Sequence, residues 1–341
     1  MKKSIFNYTI EELEEIFIQN GFKKYNASQV FDWIYRKAVF DIEKMTNLSL
    51  EFKKYLSDNF SFELLKIVAR NKEKSSEKFL FELNDKNTIE AVLLHHGYGK
   101  SLCVSTEIGC NMNCSFCASG RIKKIRNLEV FEMVAQLLTI QKTINARISS
   151  VVLMGIGEPF DNYDNVIKFV NLLINQKGIS IAQRKVVIST CGIVPKIYEF
   201  AKFKPQVNLA ISLHSSSDEV RNKLMPINKV YNIEKLFKAL DYYIENTNRR
   251  VSIEYILIDG VNDSKEDALR LVKLLKNKLV YVNVIPYNET KLCGYKRSSD
   301  ENIDIFLSIL KKNGIDVTKR KEMGSGVNGA CGQLKANNDK N

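Results

Sequence analysis

Residues 110–117 read CNMNCSFC, with Cys110, Cys114 and Cys117 spaced C-x3-C-x2-C. Their position decides the fold. They follow an apolar run, LCVS (102–105), and precede a long alternation of strand-like and helix-like segments. A closed tetrahedral metal site takes four protein ligands, and most iron–sulfur clusters complete their set with a fourth Cys or a His. No fourth ligand follows here at such spacing. The three histidines, His95, His96 and His214, are not at finger or ribbon spacing, and there is no second C-x2-C. A zinc site would therefore need a distant ligand. A [4Fe–4S] cluster on three thiolates leaves one iron open to a small molecule, which suits a cluster with a substrate-like ligand better than one used only for electron transfer. The bland alternative is three unligated cysteines in a loop.

Outward from this loop, strand-like runs occur at LCVS, SVVLMG, KVVIST, NLAISL, VSIEYILI and VYVNVIPY. Amphipathic segments lie between or after them at 130–141, 166–175, 233–244, 265–275 and 303–310. Strands alternating with helices predict a parallel α/β sheet. Six such units are too few for a closed eightfold barrel and suit an open partial (β/α)6 barrel. Polar and Gly-rich residues fall at the C-terminal strand ends (155–158, 189–192, 212–214 and Asn288), where parallel barrels gather their chemistry.

Toward the N-terminus the pattern is helical. Thr9 with Glu12 forms a capping box for a segment ending near Gly21. Ser28 is the expected cap of a second helix carrying Val30, Phe31, Ile34 and Tyr35. A third apolar face, Leu50, Phe52 and Leu56, is expected after Asn47. The expected organisation is a small helical domain over 1–60, a short β extension over 61–97, a core over 98–334 and a disordered tail over 335–341. KFLFEL and TIEAVLL are the clearest strands of the extension. Lysines and arginines interleave the helical domain, a pattern that suits contact with a nucleic-acid backbone and, more often, a solvated basic face.

The 341 residues are 45% apolar, as in an ordinary folded protein. No run approaches the ~18 apolar residues of a membrane helix. Glu11, Glu12, Glu14 and Glu15 interrupt any signal-peptide core, so a cytoplasmic protein without membrane attachment is expected. Seven cysteines in such a chain read as metal-binding or catalytic rather than as disulfides. A net charge of +12 fits either a polyanionic partner or a Lys-rich solvated surface.

The cysteine loop, the strand order and the GEP of MGIGEPF resemble the radical S-adenosylmethionine (SAM) superfamily. VFDWIYRK, MTNLS, MGIGEPFDNY, SLHSS, KLMPIN, GVND, IPYN and GACGQL narrow the resemblance to its RlmN/Cfr branch, and to the RlmN family within it. The resemblance implies a radical SAM core and methylation of adenosine C2, in 23S rRNA at the peptidyl transferase centre and in tRNA 3′ of the anticodon. The implied cofactors are a [4Fe–4S] cluster on Cys110, Cys114 and Cys117, and SAM, two molecules per turnover. One SAM methylates a cysteine near the C-terminus, matched by Cys331. A 5′-deoxyadenosyl radical from the second activates that methyl group for addition to the base. Cys103 matches the thiol that resolves the protein–RNA adduct, and Glu90 the proton acceptor. Gly157, Glu158, Ser189, Ser212, Leu213, His214 and Asn288 match cofactor contacts. A carboxylate at Glu158 suits the SAM ammonium. A reducing partner such as flavodoxin or ferredoxin and a monomeric enzyme are expected.

Such chemistry has a reason. Carbon 2 of adenine is an electron-poor amidine carbon that does not attack a sulfonium methyl, so the cofactor must carry a radical step. Without the resemblance, Cys331 also reads as a small buried residue, Cys103 as strand packing, Glu90 as a strand carboxylate facing solvent, and His214 as a structural histidine. Cys191 and Cys293 match no role and read as strand-end packing and a loop thiol. Two departures stand out. Gly-Val-Asn-Gly-Ala precedes Cys331 where the family has Asp-Ile-Asp-Ala-Ala, and Asn113 stands where relatives often have Gly. Relatives that methylate C8 commonly carry Ala after the Gly-Glu pair, whereas this chain has Pro159. A non-catalytic iron–sulfur RNA-binding or redox-sensing protein would need neither Cys331 nor the strand-end residues.

Overall fold

The computed structural model describes residues 2–203, 206–290, 292–321, 323–324 and 326–334. The expected tail over 335–341 lies outside the described residues. Three helices open the chain: α1 (Ile10–Gln19), α2 (Tyr25–Phe31) and α3 (Leu50–Asn59). Thr9 and Glu12 make the expected capping box on α1. Ser28 is not a cap; it lies inside α2, which begins at Tyr25 and continues as a π-helical turn over Asp32–Arg36. The cap of α3 is Ser49, whose side chain accepts the Phe52 N–H. Asn47 instead accepts the indole N–H of Trp33 at 2.6 Å.

A ten-stranded sheet follows. Four antiparallel strands, β1 (Lys66–Lys72), β2 (Ser76–Glu82), β3 (Thr88–His96) and β4 (Gly99–Cys103), lead into a parallel run. That run continues with β5 (Ser150–Leu153), β6 (Val186–Thr190), β7 (Asn208–Ser212), β8 (Val251–Leu257), β9 (Val280–Pro286) and β10 (Val317–Lys319). The spatial order follows chain order from β1 to β10, so every parallel neighbour is reached by one crossover. The two ends, β1 and β10, are not paired to each other, and the barrel is open.

The six expected strands are β4 to β9, and the seventh, β10, was not foreseen. Its sequence VTK has two exposed positions of three and carries no apolar run. The expected helices appear as α4 (Val130–Ile144), α5 (Tyr163–Ile174), α8 (Ile233–Thr247), α9 (Lys265–Leu275) and α10 (Asp300–Lys312). Two more are α6 (Val194–Phe203), which makes the β6–β7 crossover, and the two-turn α7 (Asp218–Leu224), which precedes α8 in the β7–β8 crossover.

One contiguous cluster of buried apolar side chains runs from Ile5, Phe17 and Phe52 of the helical segment into Val151, Ile188 and Val282 of the barrel. Phe17 and Phe52 meet edge to face at 5.0 Å, a geometry favoured by aromatic quadrupoles. Asn7 accepts the Phe131 N–H at 2.8 Å, pinning the N-terminal segment to the start of α4. Among the described residues no helix is long and apolar enough to cross a membrane.

Candidate active site at the barrel mouth

The loop after β4 carries the three cysteines. Its path is fixed by backbone bonds: Cys110 N–H to Ile122 O at 2.9 Å, Ser115 N–H to Leu224 O at 2.9 Å, and Cys117 N–H to Cys114 O at 3.1 Å. Asn113 takes a left-handed conformation, φ 51°. Asn enters that region at low cost, which accounts for its tolerance in place of Gly. Cys110, Cys114 and Cys117 line one cavity of about 140 Å³ together with Gly157, Glu158, Ser189, Ser212 and His214. The structure thus gathers residues from the ends of β5, β6 and β7 around three thiols carried after β4.

Burial pushes the Cys110 thiol up to about 12, and those of Cys114 and Cys117 upward as well. Such thiols become thiolates only when a cationic centre compensates them. Among the described residues no three Cys, His, Asp or Glu side chains converge on a single-ion site. A cluster takes one thiolate per iron, so ligands spread around a cavity fit it and do not fit one zinc ion.

Glu158 is 3% exposed. Its Oε1 accepts the Phe160 N–H at 2.9 Å and its Oε2 the Cys191 N–H at 2.7 Å. The side chains of Thr190 and Cys191 also bond to this carboxylate, and Glu158 lines the cavity of the three cysteines. Burial raises its pKa, while the same N–H bonds act in the opposite sense. Gly157, at φ 104°, leaves no room for a side chain. A Cβ there would lie 2.6 Å from Cβ and Cγ of Glu107. Glu107 accepts the Glu158 N–H at 3.0 Å and pairs with Lys124, which also reaches Asp161 at 2.7 Å. Burial raises Glu107 to about 7 against the pull of Lys124.

His214 is buried, and burial with the Arg221 charge beside it lowers its pKa to about 3. The ring is therefore neutral. Nδ1 accepts the Ile256 N–H at 3.1 Å, which leaves the proton on Nε2. Phe116 of the cysteine loop meets the ring edge to face at 4.9 Å. Leu213 behaves differently from its neighbours: its side chain is fully buried in the main core and its N–H is taken by Glu254 O at 3.1 Å.

A second cavity, about 810 Å³, continues along the barrel interior, and Cys103, Asn288 and Cys331 line it. Cys331 lines both cavities and so stands in their shared wall. Asn288 Nδ2 donates to the Cys331 carbonyl at 3.5 Å. Cys103 packs with Val92, Ile156 and Leu334, and burial pushes its thiol up to about 12, with Cys331 contributing in the same direction. Glu90 is 4% exposed and does not face solvent. It shares its strand face with Val92 and Leu94, which line the large cavity. Cys191 lines the smaller cavity as buried strand-end packing, and Cys293 lies partly exposed.

Sequence reading missed three charged residues of this site. Arg221 is 1% exposed and donates to the carbonyls of Leu213 (3.0 Å) and Cys191 (2.7 Å) and to Asn228 Oδ1 (2.7 Å), tying two strand-end turns together. Glu254 Oε1 accepts from Ser252 (2.8 Å) and Asn283 (2.9 Å), while its buried Oε2 has no hydrogen-bond partner among the described residues. Arg320 stands 3.6 Å from that oxygen and lines both cavities. That ion pair, and not a hydrogen bond, compensates the buried oxygen in the wall shared by the two cavities. The signal available was faint: an Arg on a short helix and a Glu on a strand read as surface. The far end of the large cavity is basic, with Arg184, Arg249, Arg250, Lys319 and Lys321. Exposed Tyr98 stacks on His96 there, ring centroids 4.8 Å apart, with Lys185 over its face.

Known proteins agree with this geometry. Residues 104–272 match the radical SAM superfamily and residues 3–61 the ribosomal RNA large subunit methyltransferase N-terminal domain. A probable dual-specificity RNA methyltransferase RlmN of Spiroplasma citri is 50% identical over 340 residues, covering 98% of both chains. One of the same description from Acholeplasma laidlawii is 49% identical over 335 residues, covering 98% of this chain and 99% of its own. The crystal structure of a radical SAM methyltransferase from Sphaerobacter thermophilus superposes with a TM-score of 0.93 at 37% identity, over 98% of this chain and 100% of that one. With a radical SAM fold, a three-cysteine cavity at its mouth and relatives matched end to end, this chain belongs to the RlmN family of radical SAM RNA methyltransferases.

Proposed function

We propose that the chain methylates carbon 2 of adenosine in 23S rRNA, at the peptidyl transferase centre, and in tRNA, 3′ of the anticodon, using two SAM molecules per turnover. One observation carries the reading. Cys331 stands in the wall between a cavity bearing the three cluster cysteines and a larger one that opens toward a basic, aromatic rim. A methyl carrier must face the radical source on one side and the base on the other.

When bound, the [4Fe–4S] cluster and SAM supply the methyl group and a 5′-deoxyadenosyl radical. Cys110, Cys114 and Cys117 would hold the cluster. Gly157 and Glu158 would bind the amino group of SAM, with Ser189, Ser212, His214 and Asn288 around the rest, and Leu213 fixing the turn between Ser212 and His214. Cys331 carries the methyl group, whose carbon bonds to carbon 2 of the base. Cys103, kept as a thiol by burial, then gives up its proton and attacks the Cys331 sulfur: the Cys103–Cys331 disulfide forms, the sulfur–carbon bond of the adduct breaks, and its electron pair takes up a proton so that the linking methylene becomes the methyl group on carbon 2. Glu90 takes the proton lost from carbon 2. Reduction by a flavodoxin or ferredoxin restores the thiols and the cluster. The basic rim binds phosphates, so affinity falls steeply with salt. A base reaches Cys331 only when extruded from its stack, and Tyr98 offers a stacking surface near the entrance. The enzyme acts as a cytoplasmic monomer.

Nucleoside mass spectrometry of rRNA and tRNA treated with anaerobically reconstituted protein tests this. The expected product is 2-methyladenosine in both RNAs. Appearance of 8-methyladenosine alone would transfer the chain to the Cfr-type reaction, and no methylated nucleoside with intact SAM cleavage would remove the methyl-transfer reading.

A further inference from the structure

Among the described residues, a lysine of β2 ties the turn before Cys331 to the antiparallel part of the sheet. Lys78 stands on β2 opposite Val92 of β3, and Leu80 stands opposite Glu90. Lys78 and Glu90 are thus diagonal neighbours on one sheet face. Lys78 Nζ lies 2.8 Å from Glu90 Oε1, with side chains only 15% and 6% exposed. The same ammonium donates to the carbonyl of Asn328 at 3.4 Å. Asn328 is left-handed, φ 49°, and sits three residues before Cys331. Its turn rests directly on β3, since a Cβ at Gly329 would lie 3.0 Å from Cγ2 of Val92. Beyond Cys331 the chain is fastened elsewhere, to the cysteine loop, through Ala118 N–H to Gly332 O at 2.8 Å and Ser119 Oγ to Leu334 O at 2.6 Å.

We propose that Lys78 is a positioning residue for the Cys331 thiol. Its ammonium bridges the Glu90 carboxylate and the Asn328 carbonyl, and so sets where the turn sits over β3. The inference rests on the reading of Cys331 as methyl carrier and Glu90 as proton acceptor. An ammonium has three donors on a flexible four-carbon stem, and a fixed carboxylate is what orients it. Glu90 supplies that carboxylate from a strand, with its own carbonyl held by Ser105 Oγ at 2.6 Å. The residue that receives the proton and the turn that carries the methyl group thereby share one mechanical link. The turn lacks acidic side chains of its own between Gly326 and Cys331. An ammonium brought in from β2 gives it a charged contact that its own residues do not.

Alkylation of Cys331 by iodoacetamide in the reconstituted full-length protein, followed by peptide mass spectrometry, reads the turn without requiring turnover. Lys78→Met is expected to label Cys331 about tenfold faster than wild type, and Lys78→Arg within about twofold of wild type. Glu90→Gln should accelerate labelling comparably, and the double variant no further, because both cut one bridge. Should Lys78→Met not fold, Lys78→Gln replaces it with the same expectation. In turnover, Lys78→Met should lower kcat with KM for RNA unchanged, and Lys78→Arg should restore it. Unchanged labelling in Lys78→Met, or effects that multiply in the double variant, overturns the bridge. Failure of the wild-type enzyme to make methyladenosine would instead overturn the functional reading, and the labelling ratios would still decide the bridge.

Discussion

Residues 110–117 and residues 326–334 both bring sulfur to the wall of one cavity, and they are held in unlike ways. The cysteine loop leaves a strand end and is locked by backbone bonds, by the Glu107–Lys124–Asp161 charges behind it and by glycines with no spare volume. The Cys331 turn is reached from the far end of the chain. It is held by backbone bonds at its end, by Lys78, and by long contacts such as the 3.5 Å bond from Asn288. The difference fits the two tasks that the proposed function assigns to these regions. A radical source needs one geometry, whereas a methyl carrier must meet the cofactor and then the base.

The sharpest way to break this comparison is to remove one sulfur from each region. Cys114→Ala and Cys331→Ala should each abolish RNA methylation, by more than ~10³-fold. Only the first should lose the cluster, about four irons per chain by assay, while the second keeps it and still cleaves SAM. Loss of iron in Cys331→Ala would merge the two regions into one.

Glycine replacement gives the next largest contrast. Gly157→Ala forces a Cβ into Glu107 at a positive φ and should weaken SAM binding by about 100-fold in calorimetry. A Cβ at Gly326 meets only the carboxylate end of exposed Glu73, which can swing away. Gly326→Ala should therefore change activity by less than about threefold.

The thiols differ in pH response. Burial raises Cys103 to about 12, so its thiolate fraction keeps growing throughout the accessible range. Alkylation of Cys103 should rise about tenfold per pH unit from 7 to 10 without levelling. A plateau near 9 would place the thiol in water rather than beside Val92 and Leu334.

On the cluster side the pH effect appears in stability. His214 is lowered from 6.5 to about 3, so the folded state resists the proton that the unfolded chain accepts. Its contribution is complete above about 6.5 and is lost as pH falls toward 3, by up to about 1.4 kcal/mol per pH unit. Urea midpoints should show this acid slope, and His214→Gln should flatten it by that amount.

Much of this was legible in the chain. The strands β4 to β9 are short, largely apolar runs because helices cover their outer face, while Ser252, Glu254 and Asn283 turn inward to the cavity, and runs this short do not show a helical period. The box at Thr9 and Glu12 is local chemistry and was read correctly, whereas Ser28 looked like a cap because nothing local reveals that α2 starts at Tyr25. Helix α7 was missed because seven residues are too short for a clear period. Arg221 escaped for a related reason, since its partners are carbonyls that a sequence does not display.

The sequence by itself determined the alternation that makes the barrel, the three-thiol spacing and the family motifs, because each depends on residues near one another in the chain. Only the tertiary structure decided that Cys331 stands between two cavities, that Cys103 is buried beside it, that Glu254 pairs with Arg320, and that Lys78 joins Glu90 to Asn328. Those facts are distances between residues far apart in sequence. Distance and burial set electrostatic strength and thiol acidity, and neither can be read from residue order.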